Sequence, residues 1–111
     1  MQAPVDALPI TIDEESLRKF CTSNNVEELA LFGSVLRDDF TDKSDIDVVI
    51  KFTDGSRVSL LTLCHYEIDL AEILDAKNKQ RKVDLTTPKS INPKLKDKIL
   101  NGRLILYVRA S

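Results

Sequence analysis

Residues 31–50 read LFGSVLRDDFTDKSDIDVVI and set the architecture around which the rest of the chain is arranged. An apolar run breaks at Gly33-Ser34, and a β-branched run begins at Asp47, so a sharp turn and an acidic pair fall at strand ends. Asp45 and Asp47 are two positions apart on an extended segment and therefore point to one face, whereas Ile46 points to the other, toward a core. The segment predicts two strands with a polar turn and paired carboxylates at one end.

The residue types at this end are those that phosphate chemistry requires. Two carboxylates suit Mg²⁺, a hard cation that takes oxygen ligands from one or two acids and from substrate phosphates. Gly33 allows the backbone to turn and to approach a ligand closely. Ser34 adds a hydroxyl and an amide that can donate to a triphosphate. Together these features predict transfer of a nucleotidyl group.

A third acid fits the same site. Residues 82–86 form a short strand-like run in which Asp84 lies between two apolar residues and so faces away from them. If this strand lies beside Asp47, three carboxylates converge. Such a cluster can hold metal ions on both sides of an in-line displacement at phosphorus, and one of its acids can accept the proton of an incoming hydroxyl.

Helical and strand patterns alternate along the rest of the chain. A capping box at residues 11–14 predicts a helix that buries Leu17, Phe20 and Cys21 and ends near residues 24–25. A short helix is expected at residues 35–37. Residues 59–79 predict an amphipathic helix with its buried face at Leu61, Cys64, Ile68, Ala71 and Leu74. A third helix begins at residues 92–93 and ends at Gly102. Strands are expected at residues 28–32, 47–52, 82–86 and 104–108. This alternation predicts an α/β fold, a small mixed sheet with helices packed on it.

Size and composition indicate one ordinary globular domain. The chain has 111 residues and 12.5 kDa, with 42% hydrophobic and 31% charged residues. We expect a loose lead-in over residues 1–10 and a domain over residues 11–109. The net charge of −2 and the pI near 5.4 argue against direct nucleic-acid binding over a broad surface, because that binding needs a basic face.

The sequence also predicts the cellular location of the protein and the state of its two cysteines. No apolar run approaches the roughly 20 residues of a membrane helix, and residues 1–4 lack the features of a secretory signal, so we expect a cytoplasmic protein without membrane contact. Cys21 and Cys64 are too few and too far apart for a disulfide framework or a zinc cluster. Both fall among apolar helical positions and are expected to be buried, reduced thiols.

Several conspicuous residues have a simpler structural interpretation. Ser34 lacks the surroundings of a hydrolytic nucleophile. Arg37 suits either a phosphate contact or an ion pair with one of the nearby acids, Asp38, Asp39 or Asp42. His65, the only histidine, is expected to be a helical residue without a catalytic role. Residues 77–82 are most simply a solvated helix end, where cations complement the helix dipole.

Two runs carry a family resemblance. Residues 31–50, together with KVDLTTPKSINPKLKDKILNGRLILYV at residues 82–108, resemble the minimal nucleotidyltransferases of the polymerase-β-like superfamily, and the likeness covers about residues 12–108. The sequence departs from the family at Asp38, where relatives often carry glycine.

The resemblance implies a function and roles for named residues. Such proteins are commonly antitoxins whose toxin is a HEPN-domain ribonuclease, which they inactivate by transferring AMP from ATP to a tyrosine hydroxyl. It implies that Gly33 and Ser34 bind the triphosphate, that Arg37 matches a family arginine, and that Asp45, Asp47 and Asp84 are the catalytic, Mg²⁺-binding acids. Two other functions stay open: an antitoxin that acts by non-covalent binding, and an adenylyltransferase of a small molecule.

Overall fold

The computed structural model describes residues 8–110 of the chain. Within that range it contains three α-helices, four β-strands and two short 3-10 helices. The elements are α1 (Glu14–Ser23), β1 (Val26–Phe32), a 3-10 helix (Gly33–Leu36), β2 (Ile46–Phe52), α2 (Leu60–Leu74), β3 (Val83–Thr86), a 3-10 helix (Pro88–Ser90), α3 (Pro93–Gly102) and β4 (Leu104–Val108). The short helix predicted at residues 35–37 is the first 3-10 helix, and it starts two residues earlier.

The four strands form one mixed sheet in the order β3-β2-β1-β4. β1 pairs antiparallel with both β2 and β4, whereas β2 pairs parallel with β3. The predicted α/β architecture is therefore confirmed. The register places Phe32 opposite Asp47, and Asp47 opposite Asp84. The end of β1 and the beginnings of β2 and β3 thus meet at one end of the sheet.

Helices cover both faces of this sheet, and the central strands are accordingly buried on both. α1 and α2 pack on one face, where Leu17, Phe20, Leu70 and Leu74 join the strand residues Leu29, Leu31, Ile46, Val48 and Ile50 in the main core. On the other face Ala30, Val49 and Ile91 form a second cluster, against which Ile99 and Leu100 of α3 pack. Burial on both faces explains the nearly continuous apolar run of β2.

The N-terminal part of the domain follows the prediction except at its cap. Asp13, not Thr11, is the N-cap of α1, and its carboxylate accepts hydrogen bonds from the amide of Ser16 at 3.1 Å and from its hydroxyl at 2.8 Å. These bonds lower the pKa of Asp13. The expected lead-in lies mostly outside the described residues, and of its last three residues Leu8 and Ile10 pack with the main core.

The predicted buried face of α2 is correct at Leu74, and Ala71 packs against the core, but the prediction is wrong at its other three positions. Leu70 and Leu74 are buried in the core, whereas Leu61 and Ile68 are 71% and 65% exposed and Cys64 is also exposed. The helix carries apolar residues on more than one side, so several stripes at steps of three and four fit its sequence. The sheet contacts only one of them. Of the two thiols predicted to be buried, Cys21 is, and Cys64 is not.

The helix also ends earlier than predicted. α2 stops at Leu74, and the buried carboxylate of Asp75 accepts hydrogen bonds from the amides of Gln80 and Arg81, each at 3.3 Å. Lys79 has a positive φ of 54° within this turn. Residues 77–82 therefore form a turn into β3 rather than a helix end. No helix among residues 8–110 is long and apolar enough to span a bilayer.

Candidate active site

Gly33 and Asp47 form the centre of the candidate site. Gly33 has a φ of +77°, which favours glycine, and it follows directly on the last residue of β1. A Cβ built on Gly33 would lie 3.3 Å from Cγ of Asp47 and closer still to its Oδ2. Glycine is thus required at this position for two reasons. Only glycine adopts this backbone conformation readily, and a side chain would occupy the space of the Asp47 carboxylate.

The two other predicted acids border Asp47. Asp45 immediately precedes β2, and Asp84 is the register partner of Asp47 on β3; both are exposed, whereas Asp47 is half-buried. Burial raises the pKa of Asp47, and the negative charges of Asp84 and Asp45 raise it further, while Arg37 opposes the increase. The structure therefore places the three acids in one electrostatic cluster, as the sequence predicted.

This donor set fits a divalent cation that is shared with a substrate. Its ligand atoms are all carboxylate oxygens, and a bound cation would compensate the repulsion that raises the pKa of Asp47. Within residues 8–110, no group of three or more acidic, histidine or cysteine side chains is arranged so that it could hold a metal ion by itself. Mg²⁺ usually takes one or two protein carboxylates together with substrate phosphates and water, so an all-protein cage is not required.

Ser34 lies beside the acids in the 3-10 helix. Its carbonyl accepts a hydrogen bond from the amide of Arg37 at 2.9 Å, which fixes the turn. Among the residues that the structure describes, no hydrogen-bond partner is found for its hydroxyl, which leaves that group able to donate to a phosphate oxygen.

Arg37 has the ion pair that its simpler interpretation predicts. Its Nε lies 3.1 Å from Oδ1 of Asp39, both side chains are mostly exposed, and this hydrogen bond lowers the pKa of Asp39. Arg37 is also near enough to Asp47 to oppose the rise of its pKa. Because an exposed pair is weak, the guanidinium can exchange Asp39 for a phosphate at small cost.

The sequence did not reveal Arg81 as a residue that supports the site. Its side chain is only 10% exposed, and its guanidinium donates to the carbonyls of Thr41 at 2.5 Å and Ser44 at 3.2 Å. It also stacks over the ring of Phe40, 4.3 Å from the centroid, and lies 3.7 Å from Asp42. These contacts hold the loop that leads into Asp45. In the sequence, Arg81 is one of several cations in a row and shows no distinguishing signal.

The sequence likewise did not indicate that Glu67 supports the site. Its Oε2 accepts a hydrogen bond from the amide of Leu85 at 2.9 Å. Leu85 belongs to β3, which is an edge strand, so its outward amide has no neighbouring strand to bond. The contact ties α2 to the strand segment that carries Asp84.

The arrangement as a whole can bind and orient a metal–polyphosphate. Negative charge concentrates at Asp45, Asp47 and Asp84, and the turn that carries Ser34 begins at Gly33, which adjoins Asp47. Carboxylates attract a divalent cation, and donors position phosphate oxygens. Electrostatic compensation and alignment are what phosphoryl-type transfers need most.

Comparison with known proteins agrees with this chemistry. Residues 15–111 match the family described as "Polymerase beta, Nucleotidyltransferase". Among curated relatives from Methanocaldococcus jannaschii, "Putative protein adenylyltransferase MJ0435" is 38% identical over 78 residues, which cover 70% of this chain and 76% of the relative. Another, "Putative protein adenylyltransferase MJ0126", is 40% identical over 75 residues, which cover 67% of this chain and 69% of the relative.

Solved structures share the fold at lower identity. A crystal structure of a toxin–antitoxin with AMP-PNP superimposes with a TM-score of 0.66 and 21% identity, covering 88% of this chain and 75% of that one. A structure described as "putative minimal nucleotidyltransferase" gives a TM-score of 0.63 and 22% identity, covering 82% and 86%. The family match over nearly the whole chain, the relatives and the fold agree. The chain belongs to the polymerase-β nucleotidyltransferase family and is an enzyme of that family.

Proposed function

We propose that this chain transfers AMP from ATP to a tyrosine hydroxyl of a HEPN-domain ribonuclease toxin and thereby inactivates that toxin. The observation that carries the proposal is the position of Asp47, which contacts the Gly33 turn on one side and is paired with Asp84 on the other. The turn that would position phosphate and the acids that would bind metal therefore adjoin at Asp47. The names of the curated relatives, protein adenylyltransferases, support AMP as the group that is transferred.

Each predicted site residue has a role in this proposal. Asp45 and Asp47 would hold Mg²⁺ together with the triphosphate, and Asp84 would share that metal or accept a proton. The Mg²⁺ would supply charge compensation for the phosphates. Gly33 and Ser34 would position the triphosphate through backbone amides and the free hydroxyl, and Arg37 would leave Asp39 to contact a phosphate oxygen.

The proposed reaction is a single displacement at the α-phosphorus of ATP. The tyrosine oxygen forms a bond to that phosphorus, while the bond between the phosphorus and the bridging oxygen breaks. Pyrophosphate leaves with the electron pair of the broken bond. The phenolic proton passes to a carboxylate, for which Asp84 is suited because it is exposed beside Asp47.

The exposure of the site favours a protein acceptor. Asp45 and Asp84 are exposed, and β3 is at the edge of the sheet, so the tyrosine of a folded partner can approach without passing through a closed pocket. Structural neighbours include toxin–antitoxin complexes, one of them with AMP-PNP, which supports a toxin as the partner and ATP as the nucleotide. A small-molecule acceptor has no comparable support.

The test is to incubate the cognate toxin with this protein, ATP and Mg²⁺, and then to separate the two proteins. We expect the toxin to gain the mass of one or more AMP units and to stay inactive as a ribonuclease after separation. The matched control is the Asp45→Asn, Asp47→Asn double variant, which keeps the side-chain shapes and removes the charge.

The result that would reject transfer is recovery of ribonuclease activity in the separated toxin without any mass gain. Inhibition by binding alone also requires stoichiometric amounts and persists without ATP, because it follows mass action. That pattern would establish the chain as a binding antitoxin.

A further inference from the structure

An apolar stripe on α2 faces away from the core. It consists of Leu61, Cys64 and Ile68, with Leu60 at its end, and is called here the outer stripe. Leu60, Leu61 and Ile68 are 82%, 71% and 65% exposed. Their spacing of three and four places Leu61, Cys64 and Ile68 on one side of the helix, opposite the buried Leu70. Single exposed leucines are ordinary, but a contiguous apolar patch marks an interaction surface.

The charges at the two ends of α2 indicate what covers the stripe. The first turn has no acid and the last turn no base, although a helix dipole favours acids first and bases last. Instead, the exposed Asp69 and Glu72 lie in the C-terminal half, and the exposed Arg57 lies just before the N-terminus. Among residues 8–110 none of these three has an ion-pair partner. Lys19 of α1 borders the same groove as Asp69, but it is paired with Glu15 at 3.5 Å.

We propose that a second copy of this chain packs its α2 antiparallel on the outer stripe, with a two-fold axis between residues 64 and 65. A two-fold interface must be self-complementary, and this axis meets that condition. It sets Leu61 opposite Ile68 of the partner subunit and Cys64 beside His65 of the partner subunit. It also brings Arg57 near Glu72 of the partner subunit, so that the acidic half of each α2 lies beside the positive N-terminal end of the other.

The dimer places the two Cys64 thiols close together, and this provides the first measurement. A short bis-maleimide, which adds one thiol at each end without any redox step, should convert the native protein to a species of twice the 12.5 kDa chain mass. Cys21 is buried and should not react, and Cys64→Ser should abolish the product. Light scattering should show the same doubled mass without cross-linker.

Substitutions supply the second measurement. Leu61→Glu should raise the dissociation constant by at least roughly tenfold, because it replaces a buried apolar contact by a charge. Leu95→Glu, at a residue that is 49% exposed on α3, is the matched control and should leave the dimer intact. Arg57→Glu should weaken the dimer, and the double exchange Arg57→Glu with Glu72→Arg should restore it.

A mass of one chain at all concentrations, together with no Cys64 cross-link, would overturn the proposal. So would a dimer that survives Leu61→Glu, or a charge exchange that restores nothing. The charge variants change only exposed positions, so the test stands even if Leu61→Glu fails to fold. A chain that is monomeric and loses its binding to another protein on Leu61→Glu would assign the outer stripe to that protein instead.

Discussion

The Cα of Gly33 and the carboxylate of Asp47 are so close that a methyl group on the glycine would overlap Oδ2 of the aspartate. The turn that would position phosphate and the acid that would hold the metal are therefore coupled through a direct contact. A side chain at position 33 would displace the Asp47 carboxylate. The effect of this contact can therefore be tested separately from the effect of the backbone conformation at Gly33.

We expect Gly33→Ala to lose transfer activity as well as stability. The positive φ of 77° should cost an alanine about 1–2 kcal/mol, and the new methyl should also push the Asp47 carboxylate out of place. Gly55→Ala is the matched control, because Gly55 has a φ of 84° but nothing within 4 Å of an added Cβ. Both variants should lose stability in denaturant unfolding, and Gly33→Ala should lose more because only it adds the clash with Asp47. Equal activity in the two would contradict the role of the contact.

Asp47→Asn should abolish transfer and yet stabilise the fold at neutral pH in EDTA. The folded-state pKa of Asp47 is raised above the ordinary 3.8, so the protonated form is favoured on folding. The resulting stability is present below pH 3.8 and is lost as the pH rises through the higher folded-state pKa. The wild type therefore bears the penalty of the ionised carboxylate at pH 7, and the amide does not.

The measurement is the melting temperature of both proteins as a function of pH, with EDTA present. We expect the variant to melt higher at pH 7 and the difference to shrink as the pH falls toward 4. Added Mg²⁺ should raise the melting temperature of the wild type more than that of the variant. A variant that is less stable than the wild type at pH 7 would show that Asp47 is a structural acid.

Arg81→Lys should loosen the loop that leads to Asp45 while the domain stays folded. Lysine keeps the charge near Asp42 but cannot donate to two carbonyls from a planar fork or stack on Phe40 in the same way. We expect a loss of roughly 2 kcal/mol, typical of charged hydrogen bonds, and faster tryptic cleavage after Lys43 within the loop. Lys82→Ala, at the exposed neighbouring position, should leave both unchanged. Unaltered cleavage in Arg81→Lys would refute the loop-holding role.

Features of the fold and the site could be predicted from the sequence where they depend on a few consecutive residues. Contacts between residues far apart in the chain could not. The Gly33 turn, the Asp45 and Asp47 pair and the facing of Asp84 follow from runs of a few residues, and the structure places them as expected. The contact of Arg81 with Thr41 spans 40 positions, and that of Glu67 with Leu85 spans 18, so no local pattern carries them. These supporting contacts exist only once the sheet has brought distant segments together.

The buried face of α2 was predicted incorrectly at three positions for a different reason. Its spacing admits the predicted stripe through Leu61, Cys64, Ile68, Ala71 and Leu74 as well as one through Leu70 and Leu74, and periodicity alone does not choose between them. The choice is made by the packing of the helix on β2 and β3. Leu61, Cys64 and Ile68 of the predicted stripe remain exposed, so burial was predicted correctly for Cys21 but not for Cys64.

The two thiols should therefore differ in reactivity. Burial raises the pKa of Cys21 from 9.0 to about 12, so at pH 8 its thiolate fraction is roughly a thousandfold below that of an unperturbed thiol, while Cys64 is exposed. We expect one equivalent of iodoacetamide to react quickly with the native protein, at concentrations below the dissociation constant of the proposed dimer, and a second only after denaturation. Peptide mapping should place the first label on Cys64. Fast labelling of Cys21 in the native state would contradict its burial.

The final prediction separates the roles of Asp84 and Ser34. Asp84→Ala should lower the transfer rate at saturating ATP far more than it weakens ATP binding, because a shared metal ligand or proton acceptor acts most strongly in the transition state. We expect a fall of more than about 100-fold, since even outer partners of metal ligands contribute roughly 10–100-fold. Ser34→Ala removes one hydrogen bond worth on the order of 1 kcal/mol and should weaken ATP binding or positioning only several-fold. Both measurements need single-turnover transfer and direct ATP titration with a folded protein, checked by circular dichroism. Full activity of Asp84→Ala would leave Asp45 and Asp47 as the only acids of the site, with Asp84 a structural residue of the edge strand.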